Sequence, residues 1–251
     1  MDERPGGAAP EPRQRWRIVF ARDAAESSIT AAEEVGLWTA GLGAAGIPLA
    51  SGGGKTARPR LTLAAPAPVG VRCERELLDL VLTERLTRAE LRERLERACP
   101  AGRRIVDLFD VWLGEPSITA RLGAADYRIV VGGASPDELA AAARALVAAG
   151  SLPRRRSKGE GRTVDYDLRP LVLDLAAVPD PTPARDQATF RARLRLVQDG
   201  PSGRTEELVL ALAEQAGREL RLVSAVRERL LTIDEVDESA TMSAPPGSTS
   251  V

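Results

Sequence analysis

Period-two apolar strands alternate with capped helices in the order β-α-β-β-α-β, and the order then returns in outline. This predicts an α+β fold of two tandem ferredoxin-like (βαββαβ-type) units with antiparallel sheets. Three observations carry the prediction. The strand-like stretches keep their apolar residues on one face. Three helices open on capping boxes, in which a Thr or Ser at the N-cap is followed three residues later by Glu. The second half of the chain echoes the first.

The elements follow in order. Residues 1–14 are rich in Pro, Gly and Ala and read as an unstructured tail. Arg15–Ala21 is a strand with Trp16, Ile18 and Phe20 on one face and Arg15 and Arg17 on the other. Thr30 and Glu33 cap a helix whose stripe is Val35, Trp38, Leu42 and Ala45. Arg58–Ala64 and Glu76–Thr83 are strands. Thr87 and Glu90 cap a second helix with Leu91, Leu95 and Ala98 on one side, and Pro100 stops it. Arg103–Trp112 is the fourth strand. In the second half, Asp126–Gly132 is a strand. Ser135, Pro136 and Glu138 open a helix that Gly150 closes. One or two strands follow within Ser151–Lys158 and Thr163–Leu175. Thr189–Val197 is a strand, Thr205–Gln215 a helix ended by Gly217, and Glu219–Thr232 a long last strand. Residues 15–122 form the first unit and 123–233 the second. Residues 234–251 are acidic, then low-complexity, and read as a second unstructured tail.

Composition narrows the chemistry. The 251 residues include no histidine, which removes the commonest general base and every His-containing triad. Cys73 and Cys99 lie far apart, outside any CxxC pair, and read as reduced thiols. Neither a metal site nor a cofactor is signalled. The N-terminus has no basic and apolar leader pattern, and no run of about 18 apolar residues occurs, so a cytoplasmic protein without membrane contact is expected. Lysine occurs twice, at Lys55 and Lys158, and arginine supplies nearly all of the 35 basic residues. The net charge is −1, but acidic residues gather at the ends (Asp2, Glu3, Glu11; Asp234, Glu235, Asp237, Glu238). The core is therefore mildly basic and rich in planar, forked donors suited to phosphate or carboxylate.

Several motifs compete for a role. Gly54-Lys55-Thr56 looks like the end of a phosphate loop, but Leu49 stands where such a loop needs its first glycine. Two readings remain: a plain turn, or glycine amides that cradle an anion with Lys55, Arg58 and Arg60. Asp23 with Glu26, and Asp107 with Asp110, read as solvated surface, and no catalytic residue is assigned. On the sheet face away from the helices, strand parity places Arg15 and Arg17 in the first unit and Arg191, Arg193 and Arg195 in the second. Arg154, Arg155, Arg156, Lys158 and Arg162 form a basic loop nearby in sequence. These cations can bind RNA or another polyanion, or pair with carboxylates of neighbouring strands such as Asp79 or Asp107. Three Phe, two Tyr and three Trp are the only aromatics, and most read as core.

Short blocks in a particular order carry a family resemblance. They are Ala45–Pro48 (AGIP), Pro59-Arg60-Leu61, Pro66–Val71 (PAPVGV), Leu77–Leu82 (LLDLVL), Ala125–Val131 (ADYRIVV), Arg162–Leu175 and Arg193–Leu196 (RLRL). With these, residues 15–232 resemble the radical-SAM-linked proteins, a domain of unknown function found as the C-terminal part of, or a companion to, radical SAM proteins. The chain departs from that pattern at two places. Where the family has Ser-His-Leu-Asp, Thr30, Ala31, Ala32 and Glu33 stand. Where it has a Tyr-Ser-x-Gly-Phe-x-Pro-His-Pro-Arg turn, Ser51 to Arg60 keep only the end. The resemblance is thus to a divergent member. No CxxxCxxC motif is present, so any radical chemistry would belong to a partner.

Together these readings give an expectation: a non-catalytic module that binds RNA or another anionic substrate for a separate radical SAM enzyme. Two alternatives stand beside it. One is an RNA-processing or RNA-modifying enzyme on a tandem ferredoxin-like fold. The other is an interaction protein whose ancestral site has decayed.

Overall fold

The computed structural model describes residues 10–23, 29–52, 58–157, 162–179 and 185–243. The chain divides into two compact units between Ala120 and Arg121.

In the first unit, β1 (Gln14–Arg22), α1 (Ala31–Ala44), β2 (Leu61–Leu63), β3 (Arg72–Leu82), α2 (Arg88–Ala98) and β4 (Arg103–Val111) follow in order. The sheet runs β4-β1-β3-β2, all antiparallel, which is the ferredoxin-like arrangement. Trp16, Ile18 and Phe20 meet Trp38, Leu42, Leu78, Leu80, Leu91 and Leu95 in one core. The predicted stripes of both helices therefore face the sheet, and both Thr-x-x-Glu capping boxes form. The helices approach closely at Gly41, where an added Cβ would lie 2.1 Å from the Ala98 carbonyl oxygen. The predicted strand over Arg58–Ala64 shrinks to three paired residues, because Pro59 and its neighbours make a single bridge, Ser51 to Pro59, before the ladder begins.

A single helical turn, α3 (Ile118–Arg121), comes next in the chain. The second unit then runs β5 (Leu122–Gly132), α4 (Pro136–Ala148), β6 (Pro153–Ser157), β7 (Thr163–Asp167), β8 (Val172–Val178), β9 (Gln187–Arg195), α5 (Thr205–Ala216), β10 (Arg221–Thr232) and α6 (Ile233–Ser243). Its sheet runs β10-β5-β9-β8, again antiparallel. Strand for strand this repeats the first unit, with one insertion: β6 and β7 pair only with each other as a hairpin between α4 and β8. Three strands therefore occupy the stretch where one or two were expected. Ile129, Phe190 and Leu194 are buried under α4 and α5, and Gly217 ends α5 in the left-handed conformation that glycine adopts without strain.

One expectation is corrected. Residues 234–243 are not an unstructured tail but most of α6. Thr232 and Glu235 supply a fourth capping box (Glu235 Oε2 accepts from the Thr232 amide at 2.7 Å). Val236 is buried with Ala124 and Leu231, and Asp234 pairs with Arg121 at 2.6 Å. The acidic composition concealed a helix start whose apolar residue Val236 has a place to pack.

Candidate anion-binding faces

Each sheet leaves one face uncovered by α1 and α2, or by α4 and α5. Alternation along β9 puts Phe190, Ala192 and Leu194 toward the helices and Arg191, Arg193 and Arg195 away from them. Across the ladder, Arg193 stands opposite Asp126 of β5 and Asp174 of β8, and Arg191 stands opposite Arg128. Arg193 Nε donates to Asp126 Oδ1 at 2.7 Å, and Arg229 Nε of β10 donates to Asp126 Oδ2 at 2.9 Å. Burial alone would raise the Asp126 pKa. The hydrogen bonds and charges of both arginines outweigh it and hold the carboxyl below its usual value. Arg128 pairs with Glu228 at 3.4 Å. Arg191 and Arg195 are exposed and, among the described residues, have no carboxylate partner. Asp126, Asp174, Arg191, Arg193, Glu228 and Arg229 line a groove of about 340 Å³ on this face.

The corresponding face of the first unit is built differently. Arg15 and Arg17 of β1 both donate to Asp79 of β3, Arg17 Nε at 2.8 Å, and Asp79 is buried. Arg15 also donates to the carbonyls of Glu115 at 2.6 Å and Pro116 at 3.2 Å. These two arginines are thus pairing residues, the alternative their sequence neighbours allowed. Beside them lies a groove of about 290 Å³ whose lining includes Arg60, Thr62, Asp79, Leu113, Glu115 and Ser117. The Arg60 backbone is held by Ala50 and Val81, while its exposed side chain has no partner among the described residues. Arg58 is exposed likewise, but Lys55 lies outside the described residues.

The predicted basic loop is a strand. Arg154, Arg155 and Arg156 belong to β6, and each is ion-paired: with Glu214, Asp165 and Glu207 respectively. Arg156 also lies over the Tyr166 ring, 5.0 Å from its centroid. Burial, then the Glu207 carboxylate, pushes the Tyr166 hydroxyl up to about 12. Arg154 and Arg156 fasten the hairpin to α5, and Arg155 pairs across the hairpin with β7, so all three are committed structurally. Lys158 lies outside the described residues.

Sequence reasoning missed two groups. Glu34 is buried at the start of α1 and accepts from Trp38 Nε1 at 2.9 Å and Arg103 Nη2 at 2.7 Å, with Arg22 3.7 Å away. Its place one position off the apolar stripe, beside a tryptophan one turn on, was the available signal. Phe109 and Trp112 are exposed aromatics at the end of β4, although most aromatics read as core. Among the described residues no cluster of three or more metal-ligating side chains forms, and no helix is long and apolar enough to cross a membrane.

The sequence matches a family model, DUF2344, described as an uncharacterized protein conserved in bacteria, over residues 15–216, and the chain belongs to that family. No curated protein matches it. Among solved structures, it is similar to a chain in the crystal structure of a Cbf5-Nop10-Gar1 complex, with a TM-score of 0.50 and 11% identity over 86% of this chain. This chain spans about half of that one (48%), and the likeness is one of fold. It is also matched to an unknown protein from Galdieria sulphuraria at 15% identity, covering 83% of this chain and 96% of the other, with a TM-score of 0.23.

Proposed function

We propose that this protein is a non-catalytic module that binds RNA or another anionic substrate on the open sheet face of its second unit and serves a separate radical SAM enzyme. The observation that carries the reading is the row on β9: Arg191 and Arg195, exposed and unpaired among the described residues, flank the ion-paired Arg193 beside a groove. Five arginines (128, 191, 193, 195 and 229) face Asp126, Asp174 and Glu228, with Glu235 also near Arg193, so the face is net positive by one charge. Forked donors four residues apart on one strand, about 13 Å by strand rise, suit separate phosphates of an extended polyanion. The missing histidines and the missing CxxxCxxC motif support a role without chemistry of its own. The enzyme partner is supported by the resemblance to radical-SAM-linked proteins.

The test is binding of fluorescently labelled single-stranded RNA to the full chain across a salt series. Wild-type affinity should fall steeply with salt. Arg191→Ala/Arg195→Ala should lower the log–log salt slope by about 1.4, or ~0.7 per lost phosphate contact, and weaken binding at least about tenfold. Salt-insensitive binding, or an unchanged double variant, would defeat the reading. Co-purification with a CxxxCxxC-containing radical SAM protein tests the second half.

A further inference from the structure

We infer that the groove on the open face of the second unit selects guanine, with Asp174 accepting from the base and Arg191 holding a phosphate. The inference rests on the proposed RNA-binding role and adds base specificity to that same site.

Two of the charged residues that line this groove are spare. Arg193 gives Nε and Nη2 to Asp126 at 2.7 and 3.0 Å, Arg229 pairs with the same carboxylate, and Glu228 pairs with Arg128. Arg191 and Asp174 remain. Both are exposed, and neither makes a hydrogen bond or an ion pair among the described residues. They are also neighbours. On the β8–β9 ladder Asp174 stands opposite Arg193 and Ala176 opposite Arg191, so Asp174 and Arg191 lie diagonally on one face, about 7–8 Å apart. A bulge puts the carboxylate there. Val172 pairs with Leu194 and Asp174 with Arg193, so Leu173 is an extra residue in β8. Without it, Asp174 would fall opposite Ala192, on the side buried under the helices. Leu173 itself packs against Ala124, Leu231 and Val236.

The balance of charge selects the ligand. In the groove lining Arg191, Arg193 and Arg229 meet Asp126, Asp174 and Glu228, so the groove itself is neutral although the face around it is basic. A bare phosphate chain would satisfy Arg191 and be repelled by Asp174. A ligand that brings an anion and hydrogen-bond donors together satisfies both. A nucleotide of a single strand, whose Watson–Crick edge is free, is such a ligand. Guanine fits best, because its N1–H and N2 amino donors lie side by side and meet the two oxygens of one carboxylate. Cytosine and adenine offer an amino donor beside an acceptor. Uracil presents two carbonyls around a single N–H, and these would face the negative oxygens of Asp174. The groove, at about 340 Å³, lies within the range of small-ligand sites, about 300–1,000 Å³, which leaves room for one base.

Fluorescence anisotropy of labelled RNA octamers tests this on the full chain. One octamer is all uridine. A second carries a central guanosine, and a third carries inosine there, which keeps N1–H and lacks the amino group. Wild type should bind the guanosine strand about tenfold tighter than the uridine strand, with inosine between them. The ratio should hold across a salt series, because the three strands carry the same phosphates. Asp174→Asn removes the charge and one acceptor at constant shape and an exposed position. It should erase the ratio and tighten binding of the uridine strand. Arg191→Ala should weaken all three strands alike and keep the ratio. Equal affinity for the three strands, or a guanine preference that survives Asp174→Asn, would overturn the base contact and leave sequence-blind RNA binding standing. Displacement of the guanosine strand by free glycine but not by guanosine monophosphate would overturn it in favour of a small zwitterion. No RNA binding at low salt would overturn both readings.

Discussion

The two units place the same kind of ion pair at the same topological position and use it in opposite ways. In the first, the carboxylate is Asp79 on β3 and the arginines are on β1; in the second, Asp126 is on β5, the counterpart of β1, and its arginines are on β9 and β10. The Asp79 side chain is 3% exposed and the Asp126 side chain 18%. A buried carboxylate needs every bond it makes, so the Asp79 cluster fixes β1, β3 and the turn bearing Trp112. A carboxylate near water exchanges partners at lower cost, so the Asp126 cluster leaves its face available to a ligand. One topology thus yields a buried clamp in one unit and, in the other, a more open ion-pair cluster on the face proposed to bind.

The largest expected effect would break this comparison if it failed. Asp79→Ala should cost about 3–5 kcal/mol in urea unfolding, because it removes the only carboxylate that pairs with the buried Arg15 among the described residues and leaves Arg17 with Glu115 at 3.5 Å alone. Asp126→Ala should cost at most about 1 kcal/mol. Equal losses would mean that the two pairs are equivalent. Trp38→Ala belongs with the larger effects, at roughly 3–5 kcal/mol, since the indole packs edge-on to Phe20 at 5.0 Å and fills the core of the first unit.

An intermediate effect concerns the end of the chain. Truncation after Thr232 should destabilise the second unit by roughly 1–3 kcal/mol, through loss of the buried Val236 and its contacts. An unchanged melting temperature would return α6 to the status of a tail.

Smaller effects sharpen the contrast. Asp126→Asn should strengthen RNA binding a few-fold by loosening Arg193 and Arg229, whereas Asp79→Asn should bring no such gain; binding isotherms at fixed salt decide it. The pH dependence has a definite sign. Asp126 has a lower pKa in the folded protein than its ordinary 3.8, so its pairing contributes stability above that value. That contribution is lost as pH falls through the lower folded value. Acid titration should show wild type and Asp126→Asn converging in stability below that range and separating above it.

Much of the fold was legible because its signals are local. Capping boxes at Thr30, Thr87 and Ser135 depend on residues three apart, and each formed as read. The alternation of Trp16, Ile18 and Phe20 against Arg15 and Arg17 gave strand and face together. The β6–β7 hairpin was less legible, since a strand spelled Pro-Arg-Arg-Arg-Ser has no apolar period and is held by Glu207 and Glu214 from α5. For the site, parity located the arginine row correctly but could not tell Arg193, which is paired, from Arg191 and Arg195, which are not. That difference depends on which residue β5 and β8 bring opposite each one.

By itself the sequence determined the element order, the helix starts, the apolar faces and the absence of histidine chemistry, because these depend on near neighbours and composition. The tertiary structure alone decided which arginines are committed and which are spare, that α6 docks, and that Trp112 stands in the open. Each of those depends on strand register and on contacts between residues distant in the chain, where burial sets the cost of an unpaired charge or an exposed ring.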